Sequence, residues 1–189
     1  RHGFARNVEW QLSQATSNGE SSQCIFTLAA NDATLKLWPH HFRAEFKAVL
    51  QNDRLSMTLA IRNVDSKPFT FSAALHTYFA VSHIHHVKLQ GLNGLQFWDN
   101  NGSDFRRDRF VDENAMLEFP DAIDRVYFNC ERPLLLIDRD ERLTIQAAGF
   151  RDVVVWNPGA EITKNLQDMA DHEYQKMLCV EAAIVDTPV

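Results

Sequence analysis

The sequence predicts an all-β protein, a large antiparallel β-sandwich ending in short C-terminal helices. Three observations carry this expectation. Apolar and polar residues alternate in short runs, turn-forming clusters separate the runs, and one passage near the C-terminus has a helical pattern. The chain has 189 residues, 45% hydrophobic and 23% charged. That length suits a single domain over residues 1–189 with a sizeable core, and the composition argues against disorder.

The elements follow in order. In "FRAEFKAV", Phe42, Ala44, Phe46 and Ala48 fall on one face, with Arg43, Glu45 and Lys47 on the other. This is the period of a half-buried strand. "RLSMTLAI" repeats it with Leu55, Met57, Leu59 and Ile61. "PFTFSAAL", "HHVKLQGL", "RVYFNC", "PLLLID", "RLTIQAA" and "DVVVWNP" continue the series. Between the runs lie "SNGESS", "QNDR", "NVDSKP", "DNNGSD" and "DRDE", all rich in turn formers. "EITKNLQDMADHEYQKML" predicts two short helices leading into a last strand. The polar stretch "NGSDFRRDRFVDENA" reads as a solvated loop.

The formal net charge of −6 disfavours nucleic acid as a partner while leaving room for a local basic pocket. Cys24, Cys130 and Cys179 are odd in number, widely separated and lack metal-ligand spacing. They suit reduced, buried thiols of a cytoplasmic protein. No stretch has the length of an apolar membrane span or the form of a signal h-region, so no membrane partner is expected.

Two apolar runs each contain one ionisable group: His76 in "SAALHTYFAV" and Glu181 in "MLCVEAAIV". On a strand, His76 and Tyr78 share a face while Thr77 points away. Glu181 shares its face with Cys179 and Ala183, small neighbours that leave room for a ligand. An unpaired buried carboxylate costs on the order of several kcal/mol, so Glu181 needs a partner or a cavity. Imidazole titrates near neutral pH, and together the two groups suit general acid/base chemistry. The plainer readings are a core histidine with both nitrogens hydrogen-bonded and a glutamate in a structural ion pair.

"RHGFAR" gathers Arg1, His2 and Arg6 around a glycine. Guanidinium forks match phosphate or carboxylate oxygens, though composition alone describes a solvated chain end. "HIHH" offers His83, His85 and His86 to a metal, without carboxylate or cysteine ligands at diagnostic spacing. Asp124 and Asp152 stand at the edges of apolar runs, as turn or edge-strand residues do. Phosphate loops, dinucleotide fingerprints, nucleophile elbows and zinc-protease helices are absent from the sequence.

Taken together and in order, "RHGFAR", "HTYFAV", "DRVYF", "DVVVWNP" and "MLCVEAA" resemble the hexose-6-phosphate mutarotases. These are also called glucose-6-phosphate 1-epimerases, and they belong to the galactose-mutarotase-like superfamily. The resemblance covers essentially the whole chain. It implies a sandwich of the supersandwich type whose concave face holds an aldose, with no metal and no organic cofactor. It further implies His76 as general acid, Glu181 as general base, and Asp124 and His2 as sugar contacts, with Arg6 at the phosphate. The substrate class would be a sugar phosphate such as glucose 6-phosphate.

Two departures accompany the resemblance. Family members carry a segment before "HGFAR", which suggests an N-terminally truncated chain with open strand edges and a homodimer formed through them. Gly159 replaces a bulky aromatic of the family, which predicts a looser pocket wall or an altered turn. Three functions therefore stand side by side. The first is an aldose 1-epimerase of hexose 6-phosphates, and the second is a non-catalytic sugar-phosphate-binding remnant. The third is a metal enzyme built on His83, His85 and His86.

Overall fold

In the computed structural model of the protein, residues 2–101 and 108–189 are described. Arg1, and residues 102–107 of the polar loop, lie outside the described residues. The chain divides into two compact units, Arg1–Thr70 and Phe71–Val189.

The first unit opens with a 3-10 turn at Phe4–Asn7. It then forms β1 (Gln11–Ser17), β2 (Ser21–Ala29), helix α1 (Asp32–Leu37), β3 (Phe42–Gln51) and β4 (Arg54–Asn63). The four strands lie in sequence order, each antiparallel to the next. The "QNDR" cluster closes the β3–β4 hairpin, with Asn52 at φ 53°. Asparagine tolerates that left-handed conformation because its amide can bond locally. The predicted alternation of β3 holds at Phe42 and Ala44, which are buried with Leu28 against Phe4, Trp38 and Phe69. Helix α1 was not expected from periodicity. Its origin is local: the Asn31 side chain accepts from the Ala33 and Thr34 amides, and the Asn31 amide donates back to the Thr34 hydroxyl. This reciprocal capping satisfies donors that a short helix would otherwise leave open.

The second unit contains β5 (Ala73–Leu75), β6 (Tyr78–Ala80), β7 (Val87–Gln90), β8 (Gln96–Asp99) and β9 (Phe110–Val111). It continues with β10 (Met116–Glu118), β11 (Ile123–Tyr127), β12 (Leu134–Asp138), β13 (Glu141–Ile145) and β14 (Asp152–Asn157). Helix α2 (Gly159–Thr163), a 3-10 turn (Glu173–Lys176) and β15 (Met177–Ile184) complete it. The expected pair of short helices before a last strand is thus one α turn and one 3-10 turn. No helix among the described residues is long and apolar enough to cross a membrane.

A seven-stranded sheet runs β5-β15-β14-β11-β8-β9, with β6 also pairing β15, and a four-stranded sheet runs β10-β7-β12-β13. All pairings are antiparallel. Leu89 and Leu136 of the smaller sheet join Val153, Val155, Leu178, Val180 and Tyr127 of the larger in one core. This is the antiparallel sandwich that the alternation predicted. Period two then decides where the chemistry goes. With Leu178 and Val180 in the core, Cys179 and Glu181 must face the other side of the seven-stranded sheet.

Candidate active site

Register places the residues of that outer face in rows. Cys179 lies opposite Trp156, which lies opposite Asp124; Glu181 lies opposite Val154, which lies opposite Val126. On the other side of β15, Cys179 pairs with Tyr78. His76 belongs to the same face but not to a strand. The run that reads as one core strand is broken into β5 and β6, and His76 and Thr77 occupy the gap. There the Thr77 amide donates to the Leu75 carbonyl at 2.8 Å, a tight turn that interrupts the ladder. The turn explains why an imidazole is tolerated: its backbone has left the sheet, and its side chain is 26% exposed.

The His76 ring reaches Glu181, with Nδ1 3.4 Å from Oε1. Tyr78 stacks on the imidazole with centroids 4.9 Å apart and planes 9° from parallel. Trp156 meets both rings edge-on, at 6.0 Å from His76 and 6.3 Å from Tyr78. Such contacts hold a ring in one orientation. Glu181 itself is only 5% exposed. Burial foremost, and then the charge of Asp124, push its carboxyl up to about 7. Asp124, half-buried, accepts from the Asn100 side-chain amide at 3.0 Å. Cys179 is fully buried, and burial first, then the charge of Glu181, push its thiol well above the usual range.

The structure therefore brings three expected residues, His76, Glu181 and Asp124, to one face of one sheet. Trp156 was not singled out from the sequence, and Cys179 was read there as a reduced, buried thiol and a small neighbour of Glu181. His2, and Arg6 in the 3-10 turn, are exposed residues of the first unit. Asp152 anchors backbone: it accepts from the Val185 and Asp186 amides at 2.7 and 2.9 Å and pins the chain beyond β15. The three histidines of "HIHH" do cluster, with ring centroids 5.0 and 5.4 Å apart. However, His83 Nδ1 accepts from the His85 amide, and the Arg139 guanidinium faces His86 Nδ1 at 3.1 Å. A cation already fills that position, which disfavours a metal there.

The place of Gly159 has a steric reason. It has φ +62°, and an added Cβ would lie 2.9 Å from both Cβ and N of Ala122. Asn157 holds this corner, accepting from the Gly159 amide at 2.8 Å and donating to the Tyr174 and Met177 carbonyls at 2.8 Å. The glycine thus allows α2 to approach the chain two residues before Asp124. A broad cleft of about 660 Å³ lined by Asp99, Asn101, Asn114 and Arg125 includes neither His76 nor Glu181. Arg125 and Asp124 are consecutive on β11 and point to opposite faces.

The chain is 34% identical over 199 aligned positions to a protein of Cenchrus ciliaris named "Putative glucose-6-phosphate 1-epimerase", covering 100% of this chain and 60% of that one. A protein of the same name from Escherichia coli K12 is 34% identical over 196 positions, covering 96% and 60%. Among solved structures, one described as a putative mutarotase from Salmonella typhimurium superposes with a TM-score of 0.88 at 30% identity. That match covers 98% of this chain and 61% of that chain. The chain thus spans about 60% of the length of the curated relatives it matches. The sequence model described as aldose 1-epimerase matches residues 1–189, and on that match the chain belongs to the aldose 1-epimerase family.

Proposed function

We propose that the chain interconverts the α and β anomers of hexose 6-phosphates, with Glu181 as general base and His76 as general acid. The observation that carries this reading is their juxtaposition: a buried carboxyl 3.4 Å from an imidazole nitrogen. Support for the substrate class comes from relatives named as glucose-6-phosphate 1-epimerases.

Anomer exchange needs a proton removed from the C1 hydroxyl and a proton delivered to the ring oxygen. Both oxygens are bonded to C1, so the base and the acid must be close neighbours. Glu181 takes the hydroxyl proton, His76 protonates the ring oxygen, and the C1–ring-oxygen bond breaks to give the aldehyde. Rotation about C1–C2 presents the other carbonyl face. Closure then returns one proton from Glu181 to the new hydroxyl and one from the ring oxygen to His76. No proton is gained or lost over the cycle. Each positioned group typically contributes about 10²–10⁴-fold, and holding the sugar in place contributes further.

Asp124 has a second part in this scheme. It is proposed to hold sugar hydroxyls while its charge adds to burial, the larger cause, in making Glu181 a stronger base than an ordinary carboxylate. The sugar contact of His2 and the phosphate contact of Arg6 rest on the resemblance of "RHGFAR" alone. The test is saturation transfer between the anomeric protons of glucose 6-phosphate, read by NMR with wild type and Glu181→Gln. Exchange above the buffer rate, reduced about 10²-fold or more in Glu181→Gln, supports the epimerase. Equal rates in the two proteins overturn the assignment of Glu181. Folded wild type that binds the sugar phosphate without accelerating exchange marks a non-catalytic binding module instead.

A further inference from the structure

The acid/base pair has a third donor beside it. The ligand atoms of His76, Cys179 and Glu181 all lie within 4.8 Å of one another. We propose that these three side chains form an inhibitory site for a borderline-soft divalent cation, zinc above all. The inference rests on the catalytic reading only in calling the site inhibitory; the binding itself follows from the donors.

The donor set is the first argument. An imidazole nitrogen, a sulphur and a carboxylate oxygen are the three ligand types that zinc takes in proteins. Harder cations such as magnesium and calcium prefer oxygen and would not recruit the sulphur. The geometry is the second. Tetrahedral zinc, with bonds of about 2.3 Å to sulphur and about 2.0–2.1 Å to nitrogen or oxygen, holds its donors about 3.3–3.6 Å apart. His76 Nδ1 and Glu181 Oε1 already stand 3.4 Å apart. Cys179 and Glu181 share one face of a regular strand, so small side-chain rotations bring the sulphur into range.

The electrostatics are the third argument. Glu181 and Cys179 are both buried, so solvent screens a cation bound between them only weakly. A dication between a carboxylate and a thiolate is attracted by both charges. On binding, the thiol proton leaves to water, a Zn–S bond forms, and no oxidant or reductant is involved. Three protein ligands leave a fourth position open to water or a sugar hydroxyl. The site is inhibitory because the metal occupies the atoms that catalysis needs. The Glu181 oxygen can no longer take the C1 proton, and the imidazole is held by the cation instead of approaching the ring oxygen.

Cobalt(II) makes the test direct, because it adopts zinc's geometry and absorbs light. Titrated into the full chain without sugar, cobalt should give four-coordinate d–d bands and a thiolate-to-cobalt charge-transfer band at one metal per chain, displaced by zinc. Cys179→Ser should abolish the charge-transfer band. Glu181→Gln should keep it while weakening zinc at least about tenfold in competition with a chromophoric chelator. If Cys179→Ser does not fold, the Glu181→Gln competition decides. A missing thiolate band, a band that survives Cys179→Ser through Cys24 or Cys130, or unchanged zinc affinity in Glu181→Gln overturns the site. Zinc should also suppress anomer exchange, with recovery on chelation, and bound zinc that leaves exchange unaltered overturns its inhibitory character. Failure of the cobalt titration leaves the epimerase reading standing; absence of exchange in zinc-free protein removes the epimerase and leaves the metal site.

Discussion

Glu181, the proposed base, is held in an unfavourable setting for a charge, and that can be measured in two ways. Its carboxyl stands at about 7 instead of 4.5 because burial, and then the Asp124 charge, oppose the ionised form. The proposed mechanism needs the carboxylate, so kcat/KM should fall as pH drops through about 7, well above the range of an ordinary glutamate. Asp124→Asn removes one opposing charge and should move that limb to lower pH; an unmoved limb would show that Asp124 does not set the base. Stability should respond with the opposite sign. A carboxyl raised on folding stabilises the native state relatively at low pH, and that contribution is lost as pH rises through the folded value. Between pH 4.5 and about 7, chemical denaturation should therefore show the balance shifting toward Glu181→Gln by up to about 3 kcal/mol. A pH-independent gap between the two proteins would mean that the carboxyl is not buried as described.

At the scale of elements, a corner and a break decide the site. The corner is α2 against the residue before β11, where Gly159 has φ +62° and a Cβ would meet Ala122 at 2.9 Å. Gly159→Ala should cost about 1–2 kcal/mol for the left-handed backbone alone, plus whatever moves Ala122. Thermal unfolding measures the loss, and a rise in KM would report displacement of Asp124; an unchanged Tm would mean that the corner relaxes freely. The break is the gap between β5 and β6 at His76, invisible in the sequence because no Gly, Pro, Asn or Asp marks a turn in "SAALHTYFAV". Period two did reveal which side chains share a face, since Glu181 with Cys179 and His76 with Tyr78 follow from counting by two. It could not reveal that Asp124 and Trp156 join them, because that depends on β14 lying between β11 and β15. Strand order is a long-range property, and a run such as "DVVVWNP" does not name its neighbours. The hairpin turns were legible from "QNDR" and "DRDE", whose Asn52 and Arg139 take positive φ. Helix α1 was too short for a period, and only its capping residues announced it.

For the whole molecule, the consequential fact is how unevenly the apolar core is divided. The second unit has one continuous core that joins its two sheets, with Leu89, Val155 and Leu178 fully buried. In the first unit the buried cluster is Leu28, Phe42 and Ala44, walled by partly buried aromatics, and every residue of β1 is exposed. Burial stabilises in rough proportion to the apolar area removed from water, so the two units should differ in resistance to opening. The proposed acid and base are both in the second unit, on a strand and a turn anchored by its core. Native-state hydrogen exchange read by mass spectrometry should find amides of β11, β14 and β15 protected far longer than those of β1 and β2. The truncation Leu89→Ala, in the larger core, should cost about 2–5 kcal/mol and accelerate exchange at β14 and β15. The same truncation at Leu12, which is 54% exposed, should leave both nearly unchanged. Equal protection across the two units would mean that they open together as one cooperative body. Protection confined to the second unit would place the proposed acid and base on the part of the chain that stays folded when the other part opens.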